Sequence, residues 1–196
     1  MISSKEIVAI FSQYLDKRSF ISGKKIEGLV KLIVQISKEL WNLEDSARMV
    51  ALGAGHIAAA KQHIDKTNQV RNNTIWEIDL EIQNQMQITN LGSQKLFYAE
   101  SPGMIIDRLS ILCIKRFEIE RLLTVIEEED LQKEYEDKEH IVSKQITNLG
   151  SFLDIYFNRL RNKEIFFEVQ QPVKIYNDPR IKKYIEFLES QRIKSG

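Results

Sequence analysis

The stretch IEGLVKLIVQISKELWNLEDSARMV, residues 26–50, carries two interleaved apolar rows. Ile26, Ile33, Leu40 and Ala47 recur every seven residues, and so do Leu29, Ile36, Leu43 and Val50. Rows with this spacing draw one continuous stripe along an α-helix, and a helix so striped packs against near-parallel neighbours. Gly23 opens this helix, and Gly53 and Gly55 are expected to break or bend it.

The same period extends in both directions. Upstream, Ile7, Ile10, Phe11, Tyr14 and Leu15 make a short helix within residues 1–22. Downstream, a third helix spans about His56 to Met86, where Ile57, Ile64, Arg71 and Ile78 again fall seven apart. A guanidinium thus occupies a row of isoleucines. Residues 87–100 are weakly periodic and read as an irregular connection. Ser101-Pro102 then supplies an N-cap followed by proline at the first helical position. The fourth helix places Ile105, Leu109, Leu112, Ile119, Leu123 and Ile126 on one side, while Met104, Ile111 and Ile114 widen its apolar surface. A helix apolar over so much of its circumference belongs at the centre. The run from Glu127 to His140 holds eight acidic and two basic residues and reads as a solvated turn and helix end. Leu149, Leu153, Tyr156 and Leu160 mark a fifth helix, residues 163–177 an extended segment, and Asp178-Pro179 the cap of a last helix over 178–193. The expected fold is all-α: a single domain over 1–196, an antiparallel bundle of about five or six helices.

Composition agrees and excludes several classes. Gly (8) and Pro (3) are too scarce for a turn-rich β-protein or a disordered chain. The 28 Lys+Arg balance 28 Asp+Glu, which is not the profile of a strongly basic nucleic-acid binder. A modest basic patch exists from Lys174 to Lys194, with six basic and three acidic residues. One cysteine, Cys113, forbids an intrachain disulfide, and its apolar neighbours suggest a buried, inert thiol. No signal peptide or membrane span is evident, which points to the cytoplasm.

Chemistry is sought where polar groups interrupt apolar rows. Asn68, Arg71 and Asn72 share a face of the third helix. On the fourth, Asp107 lies on one line with Ile111 and Ile114, and Arg108 falls close to Lys115. Inward-facing charges need partners. Arg71 and Asp107 either satisfy one another, or pair with Glu44 and Arg48, to fix helix register; or else these residues frame a site between helices three and four. In that site Arg71, Arg108 and Lys115 would face phosphate or carboxylate, and Asn68 and Asp107 would read hydroxyls. Lys174 and Tyr176 would form a lid edge. No cofactor or metal is expected. His56 and His63 lie about 10 Å apart along a helix, there is no Glu-x-x-His pair, and Gly53-Ala54-Gly55 is no dinucleotide fingerprint. Trp41 and Trp76 read as core aromatics. An identical heptapeptide at 87–93 and 145–151, Gln-Ile-Thr-Asn-Leu-Gly-Ser, has dissimilar flanks and reads as coincidence.

Four local patterns resemble one family. They are Leu40-Trp41-Asn42-Leu43-Glu44-Asp45-Ser46-Ala47-Arg48; Lys61, Ile64-Asp65, Asn68, Arg71, Ile75 and Ile78-Asp79; Glu100-Ser101-Pro102-Gly103 through Leu112 with Lys115; and Lys174-Ile175-Tyr176-Asn177-Asp178-Pro179. Together they resemble the uncharacterised bacterial family "domain of unknown function 4254". The resemblance implies a helical domain without an established activity, some members of which occur beside surface-sugar glycosyltransferase genes. The chain departs from the pattern at Val50–Gly55, where relatives tend to carry an Asp-rich break, and at Arg116-Phe117, where an aromatic-His pair is common. Three functions remain as expectations. The first is a non-catalytic binder of a small anionic ligand (nucleotide, nucleotide-sugar or sugar phosphate) or an accessory protein in surface-sugar metabolism. The second is a protein–protein module or homodimer. The third is an enzyme using Asp107, Arg71, Lys115 and Tyr176.

Overall fold

The computed structural model describes residues 2–19, 23–87, 96–173 and 180–194. The elements are α1 (Ser4–Leu15), α2 (Lys25–Ala47), a 3-10 turn (Val50–Leu52), α3 (Ala54–Met86), β1 (Leu96–Tyr98), α4 (Pro102–Leu123), α5 (Glu129–Arg161), β2 (Ile165–Phe167) and α6 (Lys182–Lys194). The architecture is the all-α bundle that the periodicity predicts.

Three helix starts have a local cause. Ser3 caps α1 in a reciprocal capping box with Glu6: the Ser3 hydroxyl oxygen accepts from the Glu6 amide, and the Ser3 amide donates 2.8 Å to Glu6 Oε2. The hydrogen bonds from Ser3 hold the Glu6 carboxyl below its ordinary value. Gly53 adopts φ 86° between the 3-10 turn and α3, a left-handed conformation that suits glycine. Ser101 caps α4, with Pro102 in the first turn, as the sequence predicts.

α4 lies at the centre and packs against α1, α2, α3 and α5. Its Ile105, Ile106 and Leu109 are fully buried, among Ile7 and Phe11 of α1, Val30 and Ile33 of α2, Ile78 and Ile82 of α3, and Leu153, Tyr156 and Phe157 of α5. Cys113 is buried in this core, and burial pushes its thiol up to about 11. α1 docks on α5 through a carboxylate. Asp154 accepts from the Ser4 amide at 2.8 Å and from the Ser4 hydroxyl at 2.6 Å, and Gly150 leaves room for Ser4.

Two expectations need correction. The acidic run is not a turn, because α5 begins at Glu129 and most of the run forms its first three turns. Carboxylates at a helix N-terminus complement the exposed amides there, so Glu129 and Asp130 favour a start rather than an end. The connection 87–100 is not wholly irregular: Leu96, Phe97 and Tyr98 pair in parallel with Ile165, Phe166 and Phe167. α4 and α5 form a hairpin between the two strands, so the chain returns to the same end of the bundle and the strands run the same way. α6 starts at Lys182, while the Asp178-Pro179 cap lies outside the described residues. The repeated heptapeptide at 145–151 is helical within α5. Its first copy opens with Gln87 in the left-handed C-cap of α3, and the rest lies outside the described residues.

Candidate functional site

α2, α3 and α4 enclose a cleft of about 300 Å³ lined by Ser37, Leu40, Trp41, Glu44, Asp45, Arg48, Asn68, Arg71, Ile111 and Ile114. At its edge Arg71 and Asp107 form a fork. Arg71 Nε donates to Asp107 Oδ1 at 2.6 Å and Nη2 donates to Oδ2 at 2.5 Å. The Asp107 side chain is only 10% exposed and that of Arg71 25%. The cation therefore occupies the row position the sequence gives it, and it meets the carboxylate one helix away. Two parallel bonds fix both orientation and register between α3 and α4. Among the described residues, Nη1 has no hydrogen-bond partner. Below, the Ser110 hydroxyl donates 2.7 Å to the Asp107 carbonyl oxygen, and its Oγ lies 2.9 Å from Ser37 Oγ.

Glu44 and Arg48 do not pair with Arg71 or Asp107. They belong to the cleft wall on α2, where Arg48 bonds Asp45 at 3.0 Å. Trp41 is half-buried and supplies an aromatic surface, so one of the two tryptophans expected in the core also faces the cleft.

The expected cationic cluster is not assembled. Asn68 and Arg71 line the cleft, but Asn72 faces a separate groove with Gln69, Ile75, Met104 and Pro172. Arg108 is exposed on the α5 side of α4 and pairs with Glu100. Lys115 is exposed. The seven-residue spacing does place Arg108 and Lys115 on one face of α4, but Arg108 looks away from α3. Lys174 and Tyr176 lie outside the described residues. Of the acid–base set, Asp107 and Arg71 meet in the fork, Lys115 is not among the cleft-lining residues, and Tyr176 lies outside the described residues.

Sequence reasoning gave no role to Asp79, the second buried carboxylate of this region. It is 2% exposed on α3, accepts from Ser101 Oγ at 2.5 Å and accepts from the Gly103 amide at 2.7 Å. Burial pushes its carboxyl up to about 6, although both hydrogen bonds work the other way. Gly103 is required here, since a Cβ would come within 2.7 Å of the Ile75 carbonyl oxygen. Ser101, Pro102 and Gly103 thus have separate duties: cap, helix start and close approach. The available signal was an acidic residue beside Ile78 in an apolar row, together with a Ser-Pro-Gly start on the next helix. Elsewhere, burial raises the Glu118 carboxyl, but Lys38 and Arg121 more than offset this and hold it below its ordinary value.

Among the described residues no helix is long and apolar enough to cross a membrane, and no group of three His, Cys, Asp or Glu side chains could hold a metal ion. The family described as "Protein of unknown function (DUF4254)" matches residues 27–169. The chain belongs to this family. The DUF4254 match runs from α2 to β2 and contains both the Arg71–Asp107 fork and the Asp79 socket. No curated protein and no solved structure matches the chain.

Proposed function

We propose that this DUF4254 protein is a binding module that holds a small, hydroxyl-bearing ring compound in the α2–α3–α4 cleft, without chemistry of its own. The observation that carries this reading is the fork beside an aromatic wall: Arg71 and Asp107 form a fixed polar edge, and Trp41 offers a flat apolar face. A sugar-like ring needs both, since its hydroxyls are read by planar polar groups and its C–H face rests on an aromatic ring. Asn68 and Arg71 Nη1 supply further polar contact.

Charge narrows the ligand. Arg48 and Arg71 stand against Glu44, Asp45 and Asp107, an excess of one negative charge around the cleft. A nucleoside diphosphate would meet like charge there. The expectation of a polyanionic ligand therefore loses support, and a neutral or singly charged polyol ring gains it.

Fluorescence of a Trp76→Phe variant, with Trp41 as sole reporter, tests the reading. Neutral monosaccharides, sugar phosphates and nucleotides are titrated to about 10 mM, a range that captures even weak sites. A saturable change with a hydroxylated ring, lost in the paired replacement Arg71→Met with Asp107→Leu, is the expected result. The absence of saturation with every compound would refute it.

A further inference from the structure

α6 and the tip of the α4–α5 hairpin are both unburied, and they match one another. On α6, Ile181, Tyr184, Ile185 and Leu188 follow a helical i, i+3, i+4, i+7 stripe, with Phe187 beside it. Tyr184, Phe187 and Leu188 are 59%, 60% and 64% exposed, and among the described residues no other helix packs extensively along α6. A helix this short is marginal in water without a surface to cover its stripe. From Arg180 to Lys194 the sequence has five basic and two acidic residues.

At the hairpin tip no residue from Glu120 to Ile141 is buried. The eight acidic and two basic residues of 127–140 lie here, and Leu131 and Ile141 are exposed among them. The exposed part of α5, Glu129 to Ile141, matches α6 in length at about 20 Å. One surface is apolar and basic, the other apolar and acidic.

We propose that a second copy of this chain covers both surfaces, α6 of each protomer lying along the acidic half of α5 of its partner. A two-fold axis makes the exchange reciprocal, so each dimer contains the contact twice. Among the described residues α6 makes no extended packing on its own α5, which leaves both surfaces open to a partner.

Sedimentation of the full chain between about 1 and about 100 µM tests this. The expected result is a dimer that dissociates as salt rises, because the attraction is between exposed charges. Ile185→Glu with Leu188→Glu should weaken it at least about tenfold, while the melting temperature at concentrations where the chain is monomeric stays unchanged, since α6 is solvated there. Lys182→Glu with Lys183→Glu, and separately Asp130→Lys with Asp137→Lys, should each weaken it, and all four together should restore it. A chain that stays monomeric to about 100 µM overturns the proposal. So does a dimer indifferent to these variants, or a monomer whose α6 binds anionic vesicles instead.

Discussion

A methyl group at position 103 would lie 2.7 Å from the Ile75 carbonyl oxygen and 2.8 Å from Asp79 Oδ1. Neither neighbour can yield without moving α3 or breaking the Asp79 socket. Gly103→Ala should therefore cost about 1–3 kcal/mol, the usual range for an overpacked contact, seen as a lower urea midpoint at unchanged slope. Asp79 itself gives a pH signature. Its carboxyl titrates at about 6 when folded and near 3.8 as the free side chain. The folded state binds the proton more tightly, so this group's contribution is fully favourable below pH 4 and is lost as pH rises through 6. The loss amounts to roughly 3 kcal/mol. Denaturation of Asp79→Asn at pH 4.5 and 7 should show that slope removed. For the fork, Arg71→Met or Asp107→Leu alone leaves a partly buried charge unpaired and should cost about 3 kcal/mol, while the two together should cost less than either. Equal, additive losses in a double-mutant cycle would show that the pair is not coupled. Arg71 was legible in the sequence because a cation interrupts a row of isoleucines. Its partner was legible because Asp107 sits on a line with Ile111 and Ile114. Asp79 was not, because a carboxylate next to a core isoleucine is as easily a solvated side chain. Only the approach of α4 shows what it receives.

α1 is joined to the rest largely by apolar contact and by one carboxylate on a different helix. Asp154 accepts two hydrogen bonds from Ser4 at the start of α1. Asp154→Ala should remove about 1–2 kcal/mol, the scale of a lost N-cap, and the loss should be local. Hydrogen exchange should quicken in α1 and leave α3 and α4 unchanged. The helices themselves were readable from period 3.6 wherever one face is buried. α5 was misplaced at its start because its first three turns bury nothing, so no stripe records them. What the segment does hold is negative charge suited to a helix N-terminus, a weaker mark than a buried face. β1 escaped for the opposite reason: three residues are too few to set a period, and their pairing with β2 joins segments far apart in sequence.

Burial is distributed unevenly over the molecule. Core side chains run through α4 and its four neighbours, while the hairpin tip and α6 stand outside. Amide exchange should divide α5 in two, with slow exchange from Val142 to Arg161 and fast exchange from Glu129 to Ile141 in the monomer. Uniform protection along the whole helix would contradict this division. The pair of parallel strands has its own consequence. It joins the beginning of the α4–α5 hairpin to its end, so the hairpin is a closed loop of chain whose base is fastened by backbone hydrogen bonds. A break in the polypeptide near Ile126, at the far end of that loop, would sever no buried contact. Two fragments parted there should find each other again and reassemble, with α4 and α5 still seated in the same core.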